Sequence, residues 1–305
     1  SDYVVLTGDP EAAVTENGTV TPYDTLEAAI TAANSASGTV VVDLLKNATV
    51  EPATGAIRND GALNITSSMT INGNTYTITA DTTKFIVPAV GERGNFHVFN
   101  ITGGKVAINN LTIDGSAKAA HGVNVWTANG AADKADVTLT NVTIENNTGY
   151  GVVTVGSNMT VENITTTGNA WGGINVDNSE SSATGGTFTM NSGTLNEDNA
   201  LYIQNTKASD GQNATINDGT FNGAVSIEDK ATGNGDVDGA TLIVNNGTFS
   251  NSVADYVSSD LKYEVSGDGT FTYYETSNEA QQAASEMDNA VVKVVDENTL
   301  YDTVA

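Results

Sequence analysis

Apolar residues recur along this chain in units of eight positions. In VTLTNVTI (137–144) they stand first, third, sixth and eighth, and the same spacing returns at 69–76, 106–113, 159–166, 188–195, 214–221 and 242–249. Side chains alternate between the two faces of a strand, so positions one and three share a face. A two-residue step then breaks the alternation before positions six and eight resume it. Each copy therefore predicts two short strands joined by a bend. The third-position column reads Ile71, Ile108, Leu139, Val161, Met190, Ile216, Val244, which predicts a stacked core. The bend column reads Gly73, Asn110, Asn141, Asn163, Ser192, Asp218, Asn246. Asn tolerates left-handed backbone, and stacked side-chain amides can bond between copies.

A third strand follows in five of the turns, at 122–126, 151–155, 173–177, 200–204 and 224–228. Three strands per turn, recurring every 22 residues or more, predict an all-β fold. The expected form is a right-handed single-stranded parallel β-helix, a solenoid with small helical or hairpin caps at both ends. A β-propeller needs antiparallel blades of roughly 40 residues, and this spacing is too short. Residues 1–45 read as the N-terminal cap, with Asp24-Thr25-Leu26-Glu27 opening a helix over 24–36 whose apolar stripe is Leu26, Ile30 and Ala33. Strand 39–45 leads into the first turn, and 46–257 is the β-helix. Residues 258–305 read as a second cap or the start of a following module. Within them the sequence predicts a hairpin turning at 267–269, a helix capped by Ser277 and ending near Met287, and a strand at 290–295.

Charge narrows the function. The net charge is −26, with 37 acidic residues against 11 basic. Lys/Arg clusters able to neutralise phosphates are absent, which excludes nucleic acid and argues against anionic membranes as partners. No apolar run reaches the roughly 18 residues needed to span a bilayer. There is no cysteine, which removes disulfides and thiolate metal sites, and the carboxylates show no calcium-site spacing. No metal or cofactor is expected. The sequence begins at Ser1 without Met, which fits removal of a signal peptide.

The rungs and the segment NNGTFSNSVADYV (245–257) resemble right-handed β-helix proteins of the pectate-lyase-like superfamily, and surface proteins of anaerobic gut bacteria in particular. The resemblance spans roughly residues 40–275. It implies a secreted or cell-surface location. It leaves activity open, because lyases, hydrolases, adhesins and stalks share the fold.

In enzymes of that superfamily the substrate lies across the outer face of the third-strand stack. If Val123, Val125, Val153, Val155, Ile174, Val176, Leu201, Ile203, Val225 and Ile227 point inward, one outward column is Asn124, Thr154, Asn175, Tyr202, Ser226. The next is Trp126, Gly156, Asp177, Gln204, Glu228, and His121, Tyr150 and Trp171 stand just before the strands. Exposed aromatics stack on sugar rings, and amides bond hydroxyls. The candidate ligand-binding residues are therefore Trp126, Tyr150, Trp171, Asn124, Asn175, Tyr202 and Gln204, although both tryptophans could equally pack beneath loops. Asp177 and Glu228, two rungs or about 9–10 Å apart, fall near the upper spacing of an inverting glycosidase pair. With His121 they are the catalytic candidates, but Gln204 separates them, whereas a hydrolase concentrates carboxylates on adjacent rungs. A lyase is less favoured, since Arg58 and Arg93 both precede the main stack. The expected role is a monomeric adhesin or spacer whose partners are glycans or a surface protein. The alternative is a polysaccharide-active enzyme using the same face.

Overall fold

The computed structural model describes residues 8–206, 211–229 and 240–295. They form an all-β structure with two short α-helices. One sheet holds seven strands, all parallel, and the other holds nineteen in mixed orientation. The eight-residue copies stack in register in the mixed sheet. Met69, Val106, Val137, Met159, Phe188, Ala214 and Leu242 form one column, and the third positions form the next. All seven third-position side chains are fully buried.

Two details of the repeat depart from expectation. In the first copy Asn74 and Thr75 both take left-handed backbone, φ 52° and 68°. They form a two-residue insertion, so Thr77 and Ile78, not Thr75 and Tyr76, stand beside Thr112 and Ile113. The bend also changes along the stack. Asn110, Asn141 and Asn163 adopt φ 54°, 54° and 48°, and their amides bond in file at 3.0 and 2.8 Å. In the last three copies the positive φ moves from Ser192, Asp218 and Asn246 to the glycine that follows each, at 135°, 146° and 140°. A Cβ on Gly193 would lie 2.2 Å from the Ile164 carbonyl oxygen, so only glycine fits. The amide ladder shifts back one position, to Asn191, Asn217 and Asn245, each step 2.8 Å.

The seven-stranded sheet contains all five expected third strands and two more, Gly61–Ile65 and His97–Ile101. Its register corrects one phase. Val152 aligns with Val123 and Ile174, and Thr154 aligns with Val125 and Val176. Val152 and Thr154 therefore point inward, while Val153 and Val155 face outward. Gly156 falls in a turn at φ 58° and belongs to no outward column. Three valines in 152–155 make either phase apolar, so only pairing with neighbouring rows decides it. The cost is a buried hydroxyl, since Thr154 is fully buried and its Oγ1 has no hydrogen-bond partner. Thr154→Val keeps the shape and removes the unpaired group. It should stabilise the protein by about 1–2 kcal/mol, read from urea unfolding. An unchanged or lowered midpoint would restore the alternative phase.

Each end carries a hairpin, a helix and a further strand. At the N-terminus, Ala12–Glu16 and Thr19–Tyr23 turn across Asn17-Gly18, helix Leu26–Asn34 follows, and Val40–Leu44 pairs antiparallel with Ala12–Glu16. That last strand also pairs in parallel with Met69–Asn72, which begins the stack. The helix N-cap is Thr25, whose hydroxyl accepts the Ala28 N–H at 3.2 Å. Glu27 does not close a capping box and instead accepts the Glu51 N–H at 2.8 Å. At the other end, Tyr263–Gly267 and Thr270–Tyr274 form the hairpin, with helix Ser277–Ser285 and strand Val291–Val294 after it. Thr276, not Ser277, caps this helix, in a complete capping box with Glu279. One apolar cluster runs through the stack from Ala12 to Tyr273.

Candidate ligand-binding face

The outer face of the seven-stranded sheet carries one file of Asn100, Asn124, Val153, Asn175, Tyr202 and Ser226. Its amides are largely committed to each other. Asn124 Nδ2 donates to Asn100 Oδ1 at 2.9 Å. Asn175 Nδ2 donates to Gln204 Oε1 at 2.7 Å and to the Tyr202 carbonyl at 3.1 Å. Asn124, Asn175 and Gln204 are accordingly buried. The Tyr202 hydroxyl donates to the Glu228 carboxylate. Burial, and then that carboxylate, push the Tyr202 pKa up.

Trp126, Val155 and Asp177 form the next file. Asp177 accepts the Asn178 N–H at 2.8 Å and the Thr206 hydroxyl at 2.8 and 3.0 Å. Its carboxylate thus organises the loop that leaves its own strand. Asp177 and Glu228 are each hydrogen-bonded by a separate neighbour. Loops 127–135 and 178–186 rise beside Trp126 and Asp177. They are joined by the Ala128–Ser182 bridge and by bonds of 2.9 Å from Asn129 to Ser181 and from Ala183 to Thr127.

The starts of the strands hold the aromatic residues together. His97 and His121 stack at 4.9 Å with planes 11° apart. Tyr150 and Trp171 continue the file, meeting edge to face at 5.9 Å, and both contact the His121 ring, at 5.9 and 6.1 Å. Exposure rises along it, from 2% at His97 and 6% at His121 to 44% at Trp171. Tyr150 is half-buried, and burial raises the pKa of its hydroxyl. Trp126 stands at the opposite ends of the strands and is not brought to this group.

His121 cannot serve as a charged acid or an ordinary base. Its Nδ1 accepts the Tyr150 N–H at 2.9 Å. Burial first, and then the Arg93 charge, lower its pKa to about 3. His97 is lowered in the same direction by burial, His121, Arg93 and Arg58.

Both arginines of the chain join this edge, which the sequence reading missed. Arg58 Nη1 donates to Asn95 Oδ1 at 2.8 Å, and Arg93 Nη2 donates to Asn59 Oδ1 at 2.5 Å. Among the described residues the one salt bridge is Lys46–Asp9, so neither guanidinium has a carboxylate partner. Exposed Ile57, Ile86 and Val90 lie on the same two loops. Recognising HVFNI as a row of the sheet would have placed Arg93 four residues before its start. Among the described residues, no group of three metal-ligating side chains occurs and no helix is long and apolar enough to cross a membrane. Compared with known proteins, the chain matches no protein-family model, no curated protein and no solved structure.

Proposed function

We propose that this chain is a right-handed single-stranded parallel β-helix from a secreted or cell-surface protein, acting as a rigid, non-catalytic module that binds glycans. The parallel stacking of all seven rows supports the solenoid, and the sequence resemblance supports its location. The observation that carries the binding reading is exposed Trp171, held edge-on by Tyr150 at the border of the neutral amide face. A fixed indole offers a flat apolar platform without losing much side-chain freedom on binding. Arg93 and Arg58, three and four rows away along the sheet, lack a carboxylate partner among the described residues and attract a carboxylated sugar long enough to reach them. Hydrolysis has less support, because Asp177 and Glu228 are each engaged by neighbours and His121 is buried and neutral.

A glycan array identifies the ligand, and calorimetry then compares variants. Trp171→Ala should weaken binding about tenfold or more, while Trp126→Ala leaves it unchanged. Equal affinity of Trp171→Ala and the parent protein would remove this face from consideration. Release of reducing ends that disappears in Asp177→Asn or Glu228→Gln would establish the enzyme instead.

A further inference from the structure

The two end units are copies of one another. Placing Gly269 on Gly18 also matches Val265 with Val14, Thr270 with Thr19, Tyr274 with Tyr23, Thr276 with Thr25 and Ala280 with Ala29. The structures agree in detail. Each hairpin turns on an Asn-Gly or Asp-Gly pair with positive φ, 49° and 84° in one, 51° and 76° in the other. Each nine-residue helix is capped by threonine, and each final strand returns antiparallel to the first.

The copies meet the solenoid through opposite sides. The N-terminal copy uses its last strand, Val40–Leu44, which starts the parallel stack. The C-terminal copy uses the outer edge of its hairpin, where Phe271 pairs with Phe249 of the last row and Tyr273 packs edge-on against Phe249 at 6.1 Å. In the N-terminal copy the matching edge, Thr19–Tyr23, pairs on one side only among the described residues. Thr19, Thr21 and Pro22 are exposed there, whereas their counterparts Thr270 and Thr272 are half-buried and Tyr273 is buried. Pro22 cannot donate a hydrogen bond and blunts half of the edge. It spares Val20, which matches Phe271, the one residue the C-terminal copy uses for pairing. The helices differ as well. Leu26 and Ile30 plug the first rows, but Ser277 and Gln281 occupy those places in the C-terminal copy. The argument for a second contact therefore concerns the N-terminal copy alone.

We infer that the N-terminal unit is a joint between solenoids: the Thr19–Tyr23 edge receives the terminal row of another β-helix of this kind, with Val20 in the place of Phe271. The contact is head-to-tail, and its donor is a β-helix whose terminal row carries no C-terminal unit of its own, because in this chain Phe271 already takes that place. It is independent of the glycan reading.

A spliced chain tests it, with residues 1–261 of one copy followed by 11–305 of a second, so that the N-terminal unit replaces the C-terminal one on the last row. Small-angle scattering should report one rigid rod of about twice the length, and two independently moving bodies would overturn the joint. The chain has no cysteine, so Phe249→Cys in the first copy and Val20→Cys in the second should form a disulfide. Thr21→Cys in place of Val20→Cys should not, and equal cross-linking of the two would overturn the register. If the spliced chain fails to fold, the intact chain carrying Phe271→Val with Tyr273→Pro decides. Retained hydrogen-exchange protection over 263–274 supports the joint, and its loss overturns it.

Discussion

Lowering the pH from neutral to about 4.5 is expected to remove roughly 2–3 kcal/mol of folding stability through His121. The ring is buried between His97, Tyr150 and Trp171, and its Nδ1 is held as an acceptor by the Tyr150 N–H. Its folded-state pKa is near 3 against an ordinary value of 6.5. Between those values the unfolded chain binds a proton that the folded protein does not. Stability is therefore complete above 6.5, falls as pH falls through the window, and levels off below about 3. His97, lowered in the same direction, adds a loss of the same sign. Urea midpoints at neutral pH and near pH 4.5 measure the sum. The parent minus His121→Gln, which keeps an acceptor for the amide, isolates the His121 share. An imidazole resonance of His121 that titrates near 6.5 would refute the assignment.

Phe249→Ala should cost about 3–5 kcal/mol, the usual range for deleting a fully enclosed aromatic side chain. Phe249 stacks on Phe221 at 4.9 Å with planes 8° apart, meets Tyr273 on its other side and is fully buried. It thus joins the last two rows to the C-terminal unit. Row stacks couple mainly to their neighbours, so the loss should be local. Hydrogen exchange should accelerate over 213–274 and change little over 40–114. Acceleration spread evenly along the chain would show that the stack unfolds as one cooperative body instead.

The two results draw on different parts of the molecule. Phe249 sits at a repeat position, whereas the histidines sit where loops of unequal length bring distant segments to one edge. The same contrast separates what could be read from the sequence. Column one and column three were legible because seven copies obey one periodicity, and burial of any one copy requires the others. The Gly193, Gly219 and Gly247 bends were partly legible, as Ser-Gly, Asp-Gly and Asn-Gly pairs, but the shift of the left-handed residue by one position depends on the close approach of the preceding row. The capping residues Thr25 and Thr276 fell one position from their expected places, as helix ends often do.

The candidate face was legible only in outline. Tyr150 and Trp171 were placed beside the strands, and the structure packs them together. Trp126 shares the face but stands at its far side. Asn124, Asn175, Tyr202, Gln204, Asp177 and Glu228 were found on the outer columns, yet which of them hold each other cannot be read from alternation. Hydrogen-bond pairing between rows depends on side-chain reach in three dimensions.

By itself the sequence determined the stacked apolar columns, the bends between paired strands, the strand content and the strongly acidic surface. These follow from local periodicity and composition, which do not need the partner row to be known. The tertiary structure alone decided the inward turn of Thr154 and the gathering of both arginines and both histidines at one edge. Each depends on the register between rows or on the path of a loop. A run such as Val152-Val153-Thr154-Val155 satisfies either face equally well until its neighbours fix which one is buried.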